Sequence, residues 1–153
     1  MDIKELDIRP NIEQDNKLKN KYVFFNKLIT ELKKKEIPSE IVISVNRDIE
    51  GINSFSGSNK DLLKQLRKAE SSILNLIEKE LKLVTINHYR NRWMALGIAF
   101  GVPFGVVFGA SLGNMVFIGI GIPVGMAIGI AVGTAMDKKA NENGNQLNVE
   151  VKR

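Results

Sequence analysis

The sequence has no cysteine, and this absence excludes several kinds of site at once. Without thiols the chain cannot form disulfides, iron–sulfur clusters, thiolate zinc sites or a cysteine nucleophile. The single histidine, His88, excludes every motif that needs two imidazoles, such as H-E-x-x-H. No phosphate-binding loop, dinucleotide fingerprint or nucleophile–base pair is recognisable among the other residues. We therefore predict no enzymatic activity, no cofactor, no metal site and no catalytic residue.

Charged residues are absent from one long window of the chain. No Lys, Arg, Asp or Glu lies between Arg92 and Asp137, which leaves residues 93–136 without formal charge. Ten of the 13 glycines fall inside this window, although the mean hydropathy of the whole chain is an ordinary −0.07. The chain therefore divides into a charged part and an apolar, glycine-rich part, and a single soluble globule is not expected.

Two stretches of the apolar window are long enough to cross a bilayer as helices. A helix needs roughly 20 apolar residues to span about 30 Å of hydrocarbon. Residues 94–112 supply 19 residues and residues 115–136 supply 22, with Gly113-Asn114 between them. We therefore predict a transmembrane helical hairpin over residues 93–136.

A buried soluble core and a pair of strands are the alternatives to this hairpin. A soluble core would need an amphipathic partner that covers the whole apolar window, and the rest of the chain hardly supplies one. Strands are suggested by residues 118–125, which alternate with period two, but Pro123 interrupts the alternation. The wider glycine period is four rather than two, which favours helices.

Basic and aromatic residues flank the predicted hairpin. They are Tyr89, Arg90, Arg92 and Trp93 before the first span, and Lys138 and Lys139 after the second. Aromatic rings prefer the headgroup layer of a bilayer, and basic flanks favour its cytoplasmic side. We therefore expect these residues to act as membrane-interface anchors at the inner (cytoplasmic) membrane. Both termini would lie in the cytoplasm and the uncharged turn would face outwards.

Glycine recurs at every fourth position along both predicted spans. The residues concerned are Gly97, Gly101, Gly105, Gly109, Gly113, Gly121, Gly125, Gly129 and Gly133. Missing side chains at this spacing let another backbone approach closely, so we predict a helix-packing surface. Its partner is either the other helix of the same hairpin or a neighbouring copy. Pro103 and Pro123 occupy equivalent positions of the repeat and are predicted to kink the two helices at one depth. Phe100, Phe104 and Phe108 also recur every four residues, and we interpret that stripe as lipid-facing.

The depth of each glycine follows from the position of the turn. If the chain reverses at Gly113, residues equally far from it in sequence lie at similar depth. This arithmetic places Gly97 level with Gly129, Gly101 with Gly125, and Gly105 with Gly121.

These features together resemble the glycine-zipper family of small bacterial membrane proteins. The resemblance rests on the run Arg90-Asn-Arg-Trp-Met-Ala-Leu-Gly97, the repeat with a proline in each half, Leu112-Gly-Asn114, and Met136-Asp-Lys-Lys-Ala140. It covers about residues 90–140 and does not extend to the N-terminal part. It implies a two-span membrane segment and little biochemistry. Glycine-zipper helices are similar to those of oligomeric channels, and that similarity is the source of the idea of a pore.

The charged part carries three apolar stripes at helical spacing. The first runs from about Asn16 to Glu36, the second follows Pro38, and the third follows the cap Ser58-Asn-Lys-Asp61. No Gly or Pro lies between Lys60 and Met94, so we expect the third helix to run straight into the first span.

The predicted fold is all-α, a cytoplasmic helical bundle or coiled-coil stalk followed by a two-helix transmembrane hairpin with GxxxG repeats. Its parts are a flexible N-terminus (1–15), a cytoplasmic helical region (16–92), the hairpin (93–136) and a polar disordered tail (137–153).

Two functions from different classes remain open. The first is a membrane protein that self-associates through its glycine-rich helices into a homo-oligomer, with a pore or conduit as one outcome. The alternative is a non-conducting anchor or adaptor that presents the N-terminal helices to a protein partner. Conduction is the weaker part, because the spans offer only Ser111 and Thr134 as polar lining. The lipid bilayer is a partner in both cases. Nucleic acid is not expected, since Lys33-Lys34-Lys35 is typical of a solvated helix end.

Overall fold

The computed structural model of the protein describes residues 2–7, 9, 12, 15–114 and 116–151. The described chain is mainly helical, which confirms the predicted fold class in its coarse form. Its elements are α1 (Asn16–Lys33), α2 (Ser39–Asn53), α3 (Asn59–Leu81), β1 (Val84–Ile86), α4 (His88–Ser111), α5 (Val116–Glu142) and β2 (Gln146–Glu150). The remaining positions of the predicted flexible ends, and residue 115 of the second predicted span, lie outside the described residues.

The chain forms two compact units. The first contains Met1–Thr85 and Leu147–Arg153, and the second contains Ile86–Gln146. In the first unit, α1, α2 and α3 bury their apolar stripes in one core. Its fully buried residues include Phe25, Leu28, Val45, Ile49, Leu66 and Ile77. The three predicted stripes are therefore the core-facing sides of these helices.

Side-chain caps begin two of the three helices. The Asp15 carboxylate accepts hydrogen bonds from the backbone N–H groups of Lys17 and Leu18, at 2.9 and 3.2 Å, and so starts α1. At the start of α3, the Ser58 hydroxyl accepts from the N–H of Asp61 at 3.3 Å, as the predicted cap requires. These local bonds satisfy amide groups that have no partner within the helix.

The expectation that α3 continues into α4 is wrong. The helix α3 ends at Leu81, Lys82 adopts a left-handed backbone with φ 56°, and the strand β1 follows. Asn87 is left-handed as well, with φ 60°, directly before α4 begins. Leu83 and Val84 are buried in the structure, and this burial separates the two helices where no Gly or Pro marks a boundary.

The polar tail also differs from its predicted disorder. Residues up to Glu142 continue α5, and residues 146–150 form β2, which pairs with β1. Leu147 and Val149 are 0% and 1% exposed in the core of the first unit, whereas Asn148 and Glu150 are exposed. This alternation is that of a strand with one buried face.

The N-terminus differs from its predicted flexibility in the same way. Ile3 and Leu6 are buried in the core of the first unit, at 6% and 7% exposure. Residues 2–7 lie along α2 and bond to its side chains. Two apolar side chains within a charged segment are too few to reveal this packing from the sequence.

Candidate membrane-spanning hairpin

The second unit contains two helices long and apolar enough to cross a membrane. The qualifying segments are His88–Leu112 and Gly119–Glu142, of 25 and 24 residues. In the most apolar 18-residue window of each segment, only 17% and 11% of the residues are buried. The core helix of a soluble protein would instead be mostly buried. Both helices expose large apolar side chains, among them Phe100 of α4 at 62% and Ile128 of α5 at 61%.

Glycine forms the contact surface between α4 and α5. Within residues 94–136, the described residues that are buried are Gly101, Gly105, Gly109, Gly129 and Gly133. A Cβ atom added at Gly101 would lie 2.4 Å from the carbonyl oxygen of Gly121, and one at Gly121 would lie 2.3 Å from that of Gly101. Real Cβ atoms essentially never approach another heavy atom more closely than 3.0 Å, so the two backbones are in direct contact. The contact therefore leaves no room for a side chain at these positions.

The backbone contacts continue along the hairpin towards its open end. A Cβ at Gly129 would lie 2.2 Å from the carbonyl oxygen of Trp93, and one at Gly133 would lie 2.5 Å from the Cα of Arg90. A Cβ atom added at Gly125 would lie 3.0 Å from the Cα of Gly101. The glycine pairs that the position of the turn places at equal depth are in contact, since a Cβ at Gly97 would lie 3.3 Å from the Cα of Gly129. The tightest contacts, however, are offset by four residues from those pairs, as between Gly97 and Gly125 at 2.1 Å.

Three glycines of the region make no such contact. Gly113 has φ +64° and nothing within 4 Å of an added Cβ, so its role is the left-handed turn between α4 and α5. Gly119 also has open space around an added Cβ. Gly144, with φ +71°, lies in the turn after α5. Pro103 and Pro123 lie inside α4 and α5 without ending either helix.

A carboxylate from the end of α5 caps the start of α4. Asp137 accepts hydrogen bonds from the backbone N–H groups of Tyr89 and Arg90 through its two oxygens, at 3.0 and 2.9 Å. Its side chain is buried, and its own carbonyl oxygen accepts from the Gln146 side chain at 3.5 Å. An anion at a helix N-terminus is favourable because the first amides are unpaired and the helix dipole is positive there. Asp137 therefore joins the two ends of the hairpin.

Sequence reasoning missed the role of Asp137. In the sequence this residue only ends the charge-free window and belongs to the run Met136-Asp-Lys-Lys-Ala140. The signal that could have found it is an isolated acid between apolar and basic residues, at the depth where the partner helix begins. The cap on α4 comes from a residue 48 positions away, since Asn87 makes no capping side-chain bond.

The predicted interface anchors lie at this same end of the hairpin. Tyr89, Arg90, Arg92 and Trp93 belong to the first two turns of α4, and Lys138 and Lys139 to the last turns of α5. Trp93 is 37% exposed, and Lys138 lies 3.8 Å from Glu142 in an exposed ion pair. The rings of His88 and Tyr89 meet edge to face with centroids 5.0 Å apart. The fold thus gathers basic and aromatic groups from both helices.

One side of the hairpin carries an apolar groove of about 600 Å³. Its floor is the glycine contact, and Phe100, Phe104, Phe108, Ile120, Val124 and Ile128 are among its walls. The groove follows the hairpin from Trp93 to Phe108. Its chemistry is that of a surface covered by hydrocarbon rather than by water.

Comparison with protein-family models, curated proteins and solved structures found no match for the chain, so the resemblance to the glycine-zipper family has no support from relatives. Within the part of the chain that the structure describes, no group of three or more His, Asp or Glu side chains could hold a metal ion.

Proposed function

We propose that the protein is an integral membrane protein whose hairpin anchors the helical first unit at the membrane surface. One observation carries this proposal: the most apolar windows of both helices are only 17% and 11% buried. Exposed apolar surface costs about 25 cal/mol for each Å² in water, so two such helices are not stable in solution. Hydrocarbon removes this cost, while the helices satisfy their own backbone hydrogen bonds.

The glycine contacts support an anchor rather than assembly through glycines. Registered glycines in a membrane helix call for a closely approaching backbone. In this hairpin the other helix of the same chain already fills that role, as at Gly101 and Gly121. A neighbouring copy is therefore not needed to explain the repeat. Both termini would lie in the cytoplasm, because the basic residues of both helices gather at one end.

Self-association is a second candidate, and the apolar groove favours it. The groove follows the hairpin from Trp93 to Phe108, which is about 24 Å of helix, so a helix of a second copy could fill it. The pore variant has less support. Ser111 lies at the last residue of α4, and Thr134 lies on an exposed side of α5, so the two hydroxyls do not form a polar path within one hairpin.

Membrane extraction tests the anchor. We expect the full chain to stay in the membrane pellet after alkaline carbonate treatment and to dissolve in mild detergent. A matched variant, in which a short Gly-Ser linker replaces residues 87–145, should remain in the soluble fraction. Release of the full chain by carbonate would contradict integral insertion.

The mass of the protein in detergent separates the two candidates. A single protomer supports the anchor. A discrete oligomer that Phe104→Ala dissociates would support assembly through the groove. Conductance measurements on that oligomer in a planar bilayer would then show whether it forms a pore.

A further inference from the structure

The N-terminal segment is held on α2 by two asparagine side chains. The amide of Asn46 accepts from the backbone N–H of Lys4 at 2.8 Å and donates to the carbonyl oxygen of Asp2 at 3.0 Å. The amide of Asn53 does the same three residues further along the segment. It accepts from the N–H of Asp7 at 3.1 Å and donates to the carbonyl oxygen of Glu5 at 3.0 Å. Each asparagine therefore binds one C=O and the N–H two residues later.

The spacing of the asparagines matches an extended chain. Asn46 and Asn53 are seven residues apart, which corresponds to about 10.5 Å along a helix. The two bonded backbone pairs are three residues apart, and three extended residues cover about 10 Å. Two turns of helix thus present amides in register with an extended peptide. These bonds recognise backbone groups, which every residue except proline offers in full.

Every third side chain of the segment contacts the first unit. Ile3 and Leu6 are buried in the core, and Arg9 donates to the carbonyl oxygens of Ile52 and Phe55 at the end of α2. A period of three is that of the polyproline II conformation, which peptide-binding grooves often recognise. A cation is also favourable at a helix C-terminus. This face of α2 therefore selects a segment that has an apolar residue, a second apolar residue three positions later, and an arginine three positions after that.

The rest of the segment contributes little to its attachment. Lys4 pairs with Glu50 and Glu5 with Lys33, both at exposed positions where ion pairs have small effects. Beyond Arg9, a pocket of about 400 Å³ lies between Ile12, Leu18, Asn53 and Phe55. This pocket leaves room for further residues of a bound peptide.

We propose that this face of α2 is a binding site for an extended protein segment with the pattern apolar-x-x-apolar-x-x-Arg. The chain's own residues 2–7 and Arg9 occupy the site, and a partner segment of the same pattern competes with them. The tethered segment acts at an effective concentration of the order of 1 mM, so it excludes weak ligands and admits a partner that binds tightly or is held nearby. The proposal concerns the first unit and does not rest on membrane anchoring.

The test uses the full chain in detergent and a labelled synthetic peptide of residues 1–9. The double substitution Ile3→Asp and Leu6→Asp removes the resident segment from its site on α2. We expect fluorescence anisotropy to show saturable peptide binding to this variant and about 100-fold weaker binding to the parent, whose tethered segment competes. Adding Asn46→Ala and Asn53→Ala should weaken binding by about ten-fold or more. A control peptide with the same two aspartates should not bind.

A second measurement avoids any folding defect of these variants. A specific protease site is placed within residues 10–14 of the parent, and the chain is cut after it has folded. Exchange of the severed segment for the labelled peptide supports the proposal. Failure of the peptide to exchange, or equal binding of the control peptide, would overturn it. A concentration-dependent dimer of the parent that the two aspartates abolish would assign the α2 site to a second copy. That result would also overturn the proposal.

Discussion

Gly125 on α5 and Gly97 on α4 are in reciprocal backbone contact. A Cβ atom on either residue would lie 2.1 Å from the carbonyl oxygen of the other. Even alanine therefore cannot enter without separating the helices. The hairpin thus has its smallest residues inside and its large apolar residues outside, the reverse of a soluble protein.

Gly125→Ala should open the hairpin, whereas Gly119→Ala should not. The two changes are chemically identical and lie in the same helix, but an added Cβ at Gly119 meets nothing within 4 Å. Forcing extra volume into a packed contact costs about 1–3 kcal/mol. Spin labels on cysteines at positions 96 and 128 would report the helix separation, and the sequence has no native cysteine to interfere. Equal distance distributions for both variants would remove the steric role of Gly125. The larger change Gly125→Leu should act in the same direction, and Phe104→Leu should do little.

Asp137→Ala should loosen the start of α4. The change leaves the amides of Tyr89 and Arg90 without their carboxylate, and the loss of a cap costs about 0.5–2 kcal/mol. Hydrogen exchange of these two amides should accelerate by up to about 30-fold, since 1.4 kcal/mol is a factor of ten. Lys138→Ala, at the neighbouring exposed position, is the control. Unchanged exchange in Asp137→Ala would show that the cap contributes nothing.

The strand β2 should be required for a stable soluble first unit. A fragment of residues 1–88 lacks Leu147 and Val149, which are 0% and 1% exposed. Burying two such side chains stabilises by roughly 3–6 kcal/mol at most. We therefore expect a fragment that joins residues 1–85 to 146–153 through a short linker to be helical and to unfold at higher urea than residues 1–88. Coincident urea curves would contradict a structural role for the tail.

Acid should weaken the first unit partly through Glu31. The Lys34 side chain and the backbone N–H of Asn148 hydrogen-bond its carboxylate and hold its pKa below the ordinary value of 4.5. A lowered pKa in the folded state means that this stabilisation is complete above about pH 4.5 and is lost as the pH falls through the folded pKa. Glu31→Gln should therefore unfold more easily than the parent at pH 6, and the difference should shrink towards pH 3. Melting followed by circular dichroism measures it, with Glu36→Gln as an exposed control. A constant difference across this range would argue against the linkage.

The turn should face the side opposite to both termini. A cysteine at Asn114 should react with an impermeant maleimide in intact cells, whereas one at Ser39 should react only after lysis. The expectation rests on the basic residues gathered at the other end of the hairpin. Labelling of Ser39 alone would reverse the topology, and labelling of neither would question the hairpin.

Much of the fold could be predicted because local patterns carry it. The cap at Ser58, the start of α2 next to Pro38, the three apolar stripes and the uninterrupted apolar window depend on neighbours within a few residues. The two terminal segments of the first unit could not be predicted in this way. Leu147 and Ile3 lie in short segments that are mostly polar. Their burial depends on the core that α1, α2 and α3 form elsewhere in the chain.

The sequence by itself determined that two apolar helices flank a turn at Gly113, since length, missing charge and glycine spacing are properties of neighbouring residues. It left open whether the glycines meet within one chain or between copies, because both arrangements use the same stripe. Only the tertiary structure decided that Gly97 faces Gly125, that Asp137 caps α4 and that Asn46 holds Lys4. These pairs are 28 to 48 residues apart in the sequence. A periodic pattern shows which face of a helix is buried, but it does not show which distant residue packs against that face.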